Sequence, residues 1–169
     1  ETPAHTILLV DDDSMTMALE AMFLRDHGYA VITAASGDEA VAKADDPAID
    51  LVLMDIDLGP GIDGTEAAGR ILARRELPLI FLSSHTEAAI VEKTERITSY
   101  GYILKTSSGP VLLASIRMAF RLYEAREKTV EQERVFLALF EQSPVSIQVF
   151  DISGITLQVN HAWETLWDF

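Results

Sequence analysis

No cysteine occurs in the 169 residues, which excludes a disulfide framework and a thiolate metal site and fits a reducing compartment. Basic residues are scarce: 13 Lys and Arg stand against 27 Asp and Glu, for a net charge of -14. That balance repels phosphate backbones, so no direct nucleic-acid binding is expected of this chain, and it suits a cation site instead. No apolar run approaches the ~18 residues of a membrane span. No signal peptide is visible at the amino end, and the expected location is cytoplasmic, without membrane insertion. The four histidines, His5, His27, His85 and His161, form no ligand spacing such as H-E-x-x-H and read as surface or packing residues. The chain opens at Glu1 without a methionine and stops at Phe169 inside an apolar stretch, which reads as a fragment of something longer.

What is present is apolar material in quantity, 49% of residues against 24% charged, enough for a real core. From Thr6 to about Tyr102, short β-rich runs alternate with stretches of helical period, the pattern of βαβ units and a parallel sheet. The expected strands are Thr6 to Val10, Ala30 to Ala34, Leu51 to Met54, Leu79 to Leu82 and Gly101 to Leu104. Three of them, Ile7-Leu8-Leu9-Val10, Leu51-Val52-Leu53-Met54 and Leu79-Ile80-Phe81-Leu82, are continuously apolar, as strands covered by helices on both faces must be. Helix ends punctuate the intervals. Gly28 is a left-handed cap, Ser36 with Glu39 has capping-box spacing, Asp63 with Glu66 has the related spacing, and Gly101 closes the fourth helix. The fold class is α/β, a doubly wound five-stranded parallel sheet.

Ser108-Gly109-Pro110 then starts a helix that continues to about Gln142, roughly 50 Å at ~1.5 Å per residue. Along it Leu113, Ile116, Phe120, Tyr123, Val130 and Leu137 alternate three and four spacings, with Glu127 and Arg134 interrupting the same seam. Core packing for the first half with a solvated second half, and a two-stranded coil between protomers, both fit. Val145 to Phe150 and Ile155 to Val159 read as a hairpin around Asp151-Ile152-Ser153-Gly154, followed by a short helix capped by Asn160.

In an open α/β sheet, ligands bind at the carboxyl ends of the strands. The first strand ends in Asp11, Asp12 and Asp13, the third in Asp55 and Asp57, the fourth in Ser83 and Ser84, and the fifth in Lys105. One such aspartate would be explained as a helix cap, as Asp13 is. Several like charges at one edge need a neutralising cation, and a small oxygen-rich site suits magnesium, which takes few carboxylates and keeps its waters.

Leu8-Leu9-Val10-Asp11-Asp12-Asp13, Leu53-Met54-Asp55-Ile56-Asp57-Leu58, Phe81-Leu82-Ser83-Ser84 and Tyr102-Ile103-Leu104-Lys105 together resemble the motifs of response-regulator receiver domains, over about residues 5 to 125. The resemblance implies the flavodoxin-like receiver fold and a switch phosphorylated on Asp55 by a phosphohistidine of a partner histidine kinase or phosphotransfer protein. It implies that Asp12 binds Mg2+ directly, that Asp11 does so through water or orients it, and that Asp55 and the Asp57 backbone carbonyl complete the metal site. Lys105 would pair with the phosphoryl oxygens and Ser83 would hydrogen-bond them. Tyr102 would turn inward and remodel the face made by the fourth helix, fifth strand and fifth helix. Such a fragment is no enzyme beyond its own aspartyl phosphorylation and dephosphorylation, and it holds neither a kinase phosphoacceptor helix nor an ATP-binding glycine motif.

Two features depart from the family. Thr106 follows Lys105 where a proline in a cis peptide is usual, and a cis bond before threonine costs ~2.5 to 4 kcal/mol. Asp57 adds a carboxylate two residues beyond Asp55. Rival readings exist. Gly59-Pro60-Gly61-Ile62-Asp63-Gly64 fits a dinucleotide fingerprint in spacing, but not on the first strand and not beside Asp55, Asp57 and Asp63. Asp55-Ile56-Asp57 also resembles the first motif of haloacid-dehalogenase-type phosphatases, which carry threonine or valine where this chain has Gly59. A binding and dimerisation scaffold without phosphoryl transfer is the non-catalytic alternative.

Leu139-Phe140-Glu141-Gln142-Ser143-Pro144, Val149-Phe150-Asp151, Gly154-Ile155 and Val159-Asn160-His161-Ala162 resemble the opening of a PAS sensor domain. The expected organisation is then a receiver at 1–125 with its fifth helix starting near 109, a helical linker at 126–142, and a truncated PAS segment at 143–169. Histidine kinases and cyclic-dinucleotide enzymes are both built that way. An unfinished sheet leaves edges and apolar surface open, so a homodimer through the helix from Pro110 and the hairpin with Trp163 and Trp167 is expected.

Overall fold

The computed structural model describes residues 5–84, 94, 97 and 100–167. The chain divides after Tyr123 into two compact units. In the first, the strands are β1 (Thr6–Val10), β2 (Ala30–Ala34), β3 (Leu51–Asp55), β4 (Leu79–Ser83) and β5 (Tyr102–Leu104). They pair in parallel in the order β2-β1-β3-β4-β5. The five expected strands are all present, displaced by one residue at most at any end. Between them lie α1 (Ser14–Asp26), α2 (Gly37–Lys43) and α3 (Gly64–Leu72), and α4 (Gly109–Gln142) follows β5. The helix expected between the fourth and fifth strands lies almost wholly outside the described residues, as does His85.

The period of two along each strand sorts the core into two layers. Leu8, Val10, Val52, Met54, Leu79 and Phe81 point to one face and pack with Ala40 and Val41 of α2 and Ala67, Ala68 and Ile71 of α3. Ile7, Leu9, Leu51, Leu53, Ile80 and Leu82 point to the other, against Ala21 and Leu24 of α1 and Leu112, Leu113, Ile116, Ala119 and Phe120 of α4. Each fully buried Leu, Ile or Phe contributes about 1.5–3 kcal/mol relative to exposure, so both layers are needed to hold the sheet. A sheet with no solvated face explains why its strands carry unbroken apolar runs.

Local chemistry fixes where the helices begin. Asp13 caps α1 through the Thr16 N–H at 2.8 Å, and Asp63 caps α3 through the Glu66 N–H at 2.8 Å. The Ser36 hydroxyl accepts from Glu39 N–H, while the Glu39 carboxylate reaches one residue further back than a capping box requires, to Ala35 N–H at 2.8 Å. Gly28 adopts φ +88 after α1, the left-handed conformation that a side chain would resist.

The second unit holds the end of α4, the antiparallel pair β6 (Gln148–Phe150) and β7 (Thr156–Val159), and the short helix α5 (His161–Trp167). Asn160 is its tie. Its carboxamide oxygen accepts from Ile147 and Trp163 N–H, and its nitrogen donates to the carbonyls of Phe140 and Val145. One buried side chain therefore joins the last turn of α4, the hairpin and α5. On the heptad seam, Leu113, Ile116 and Phe120 are buried in the first unit, whereas Val130 and Leu137 are exposed.

Candidate functional site

The order β2-β1-β3-β4-β5 reverses between β1 and β3, and that crevice is where an open α/β sheet offers room for a ligand. The residues just beyond β1 and at the end of β3 are aspartates. Asp11 and Asp55 are both buried, which no carboxylate tolerates alone. Lys105, one residue after β5, resolves the conflict: its Nζ lies 2.6 Å from Asp11 Oδ2 and 2.7 Å from Asp55 Oδ2. The remaining oxygens are held by the turning backbone, Asp11 Oδ1 by Asp13 N–H at 2.8 Å and Asp55 Oδ1 by Asp57 N–H at 3.2 Å. Burial pushes the Asp55 carboxyl above its ordinary range, against the opposing pull of Lys105. Burial works to depress Lys105, but its bonds to Asp11 and Asp55 outweigh it and leave the ammonium raised and charged.

Asp11, Asp12 and Asp55 each offer a carboxylate oxygen, and these atoms lie within 4.8 Å of one another. Three carboxylates against one lysine leave a surplus of negative charge on hard oxygens, and each carboxylate oxygen can accept more than one partner. The donor set therefore fits a small divalent cation that keeps part of its water shell. Gly59, at φ +26, passes so close that a Cβ there would meet Asp12 Oδ2 at 2.9 Å. The positive φ favours glycine at this point of the loop, while the exposed Asp12 carboxylate is free to turn aside.

Of the residues singled out in the sequence, Asp11, Asp12, Asp55 and Lys105 come together. Ser83 is buried at the end of β4, and its carbonyl accepts the Lys105 N–H at 2.8 Å. Tyr102 is half-buried against the layer containing Phe81. The Asp57 side chain is exposed and outside the three-carboxylate group. Among the described residues no peptide bond is cis, and Thr106 follows Lys105 in the ordinary trans form.

Sequence reasoning passed over Glu20. It lies on the α1 stripe of Met17, Ala21 and Leu24, so an acid inside that i, i+3, i+4 pattern was the available signal. Its Oε2 is shielded from solvent without a hydrogen-bond partner among the described residues. Burial, then the charge of Asp11, pushes its carboxyl up to about 7 from an ordinary 4.5. A carboxyl raised on folding contributes stability that is whole below the unfolded value and is lost as pH rises through about 7. Glu20→Gln is expected to match the parent near about pH 5 and exceed it near about pH 8, by on the order of 1 kcal/mol once partial exposure is discounted. Urea unfolding at both pH values measures this; equal differences at the two would refute it.

The family model for the response regulator receiver domain matches residues 7–117. The transcriptional regulatory protein AfsQ1 of Streptomyces coelicolor is 37% identical over 123 residues, covering 73% of this chain and 53% of that protein. The N-terminal domain of a response regulator/sensory box/GGDEF three-domain protein from Carboxydothermus hydrogenoformans is 43% identical, with TM-score 0.66, over 72% of this chain and 98% of that one. A chain of the CheX-CheY-BeF3-Mg+2 complex from Borrelia burgdorferi is 27% identical, with TM-score 0.65, over 69% of this chain and 89% of that one.

The chain belongs to the response regulator receiver domain family. It is a receiver module of two-component signal transduction, a class that exchanges signals with histidine kinases and phosphotransfer proteins and does not consist of conventional enzymes. It spans about half the length of the curated relatives it matches. Among the described residues no helix is long and apolar enough to cross a membrane.

Proposed function

We propose that Asp55 is the phosphoacceptor of this receiver and that Lys105 and Ser83 hold the transferred group. The observation that carries the reading is the placement of a buried carboxylate 2.7 Å from a half-buried ammonium at the carboxyl edge of the sheet. An Asp55 oxygen attacks the phosphorus of a phosphohistidine; the P–O bond forms as the P–N bond breaks, and the released imidazole takes a proton. Lys105 turns from the carboxylate to the phosphoryl oxygens, and the Ser83 hydroxyl donates to them. Asp11, Asp12, Asp55 and the Asp57 carbonyl would hold Mg2+, which supplies positive charge to the phosphoryl oxygens as the bond order shifts. Tyr102, which pairs with Phe81 two residues before Ser83 in the β4–β5 register, would then move inward and alter the output face.

The test is incubation with acetyl phosphate and magnesium, followed by intact mass beside an Asp55→Asn control. An adduct dependent on both magnesium and Asp55 is the expected outcome. Its absence supports the binding scaffold, and sustained consumption of reagent without adduct supports the phosphatase-like reading.

The wider organisation belongs to the same proposal: a cytoplasmic protein with the receiver at 1–125, a linker at 126–142 and the start of a PAS domain at 143–169. The division of the chain after Tyr123 and the Asn160-centred hairpin unit support it. The relative from Carboxydothermus hydrogenoformans, whose description joins a response regulator, a sensory box and GGDEF, favours a cyclic-dinucleotide enzyme over a histidine kinase as the whole protein. Exposed Phe136, Leu139, Phe150, Leu157 and Trp167 in the second unit support homodimerisation through the helix and hairpin. Light scattering at micromolar concentration should give a mass about twice that of the 18.6 kDa chain; a monomer would refute it.

A further inference from the structure

The long helix α4 carries a second stripe besides the seam of Leu113, Ile116 and Phe120, which is spent on the core of the first unit. On another face of the helix lie Met118, Leu122, Ala125, Phe136 and Leu139. Thr129 and Gln132 fill the interval between Ala125 and Phe136. Successive positions are separated by four, three, four, three, four and three residues, the 3.5-residue repeat that keeps one face of a helix turned toward a partner. All of these residues are exposed, the large ones from 47% at Leu122 to 69% at Leu139.

Charge distinguishes the two faces. Beyond Phe120 the first seam is interrupted by Glu127, Arg134 and Glu141, whereas no charged residue falls on the exposed stripe from Met118 to Leu139. The Thr129 hydroxyl donates to the Ala125 carbonyl at 2.9 Å, which occupies its polar atom within the helix and leaves its methyl to pack. Residues 124–139 are exposed without interruption. A helix draws most of its stability from a packed face, and over this length the stripe is the uncharged face available for one.

We infer that this stripe is the interface with a second copy of the chain, paired as a parallel two-stranded coil in register from Met118 to Leu139. The inference rests on the homodimer proposed above and names the face that makes it. In that arrangement Lys128 stands beside Glu133 of the second copy on both edges of the stripe, an attractive pair of opposite charges. Arg121 and Arg126 also meet, at the solvated rim, where a like pair costs little. Gln132 faces Gln132 of the second copy, and each carboxamide both donates and accepts. An antiparallel pair covers less: it sets Leu139 against Ser115 or Met118 against Ser143 of the second copy.

The absence of cysteine makes the test direct, because one introduced thiol is the only one in each chain. Leu122→Cys and Thr129→Cys, each in the full chain and oxidised at micromolar concentration with copper phenanthroline, should both yield disulfide dimers. Two positions a heptad apart both bond to their own counterparts only when the helices run parallel and in register. Glu127→Cys and Val130→Cys, on the same helix but off the stripe, should give at least about tenfold less dimer, since their separation exceeds the ~7 Å limit between Cα atoms of a disulfide. In a light-scattering dilution series, Leu122→Asp should raise the dimer Kd at least about tenfold and Val130→Asp should leave it unchanged. Cross-linking at Glu127→Cys or Val130→Cys, at only one stripe position, or equal weakening by the two aspartates would overturn the inference and leave the homodimer standing. A monomeric parent would overturn both.

Discussion

Lys105→Met is expected to destabilise the receiver unit by about 3–5 kcal/mol near neutral pH, because it leaves two buried carboxylates facing each other with no cation between them. Methionine is close to lysine in length and apolar, so the packing around the stem is retained and the effect is electrostatic. Asp11 is fully buried and Asp55 is 2% exposed, so water cannot take over the role of Nζ. The cost has an upper bound, since Asp55, already raised by burial, can escape by taking a proton. The sign follows: a carboxyl raised further in the folded state gives stability that is lost as pH rises, so the variant should fall behind the parent most on the alkaline side. Millimolar magnesium should restore part of the loss, because a dication on Asp11, Asp12 and Asp55 binds the folded state alone. Urea titrations with and without magnesium read both effects. A variant as stable as the parent, or one indifferent to magnesium, would show that the lysine is not what holds the cluster together. Adduct formation from acetyl phosphate should also be lost, as no other cation is hydrogen-bonded to Asp55 among the described residues.

The parts of this arrangement that could be read from the sequence are those written in local pattern. The continuously apolar Leu51-Val52-Leu53-Met54 and Leu79-Ile80-Phe81-Leu82 announce strands buried on both faces, and both are. Asp13, Ser36 and Asp63 announce helix starts because capping is a contact over three residues. The cluster of Asp11, Asp12, Asp55 and Lys105 is legible one step further on, because parallel strands bring their carboxyl ends to one edge whatever lies between them. Glu20 was legible only as an acid inside the apolar stripe of α1, without what surrounds it. It lines a cavity with Leu82, Ile103 and Leu112, which come near it only after β4, β5 and α4 have assembled. In isolation, α1 gives glutamate a neutral place on an amphipathic surface. The same limit applies to Val130 and Leu137, which share a seam with buried Leu113 and Phe120 yet are exposed. Periodicity names a face of a helix and leaves open what covers it.

Gly64→Ala is expected to cost at least about 4 kcal/mol, in the range where steric conflict with a buried backbone abolishes a fold of ordinary stability. Gly64 opens α3, and its N–H donates to the Ile56 carbonyl at 3.0 Å, which draws the helix against the end of β3. A Cβ at that position would fall inside the envelope of the Asp55 carbonyl oxygen, 2.8 Å from the carbonyl carbon and 2.9 Å from Ile56 Cα. None of these atoms is the mobile end of a side chain. They belong to the backbone that aims Asp55, and Asp55 itself pairs with Leu82 in the middle of the sheet. Relief must come either from α3 withdrawing, which uncovers Ala67, Ala68 and Ile71, or from β3 shifting, which pulls Asp55 away from Lys105. Gly69, in the same helix, has nothing within 4 Å of its Cβ position. Gly69→Ala should therefore be neutral or stabilising by up to about 1 kcal/mol, from helix propensity. The pair separates close approach from propensity in one denaturation experiment. Equal stability of the two variants would mean that α3 does not press on the backbone of the acceptor strand.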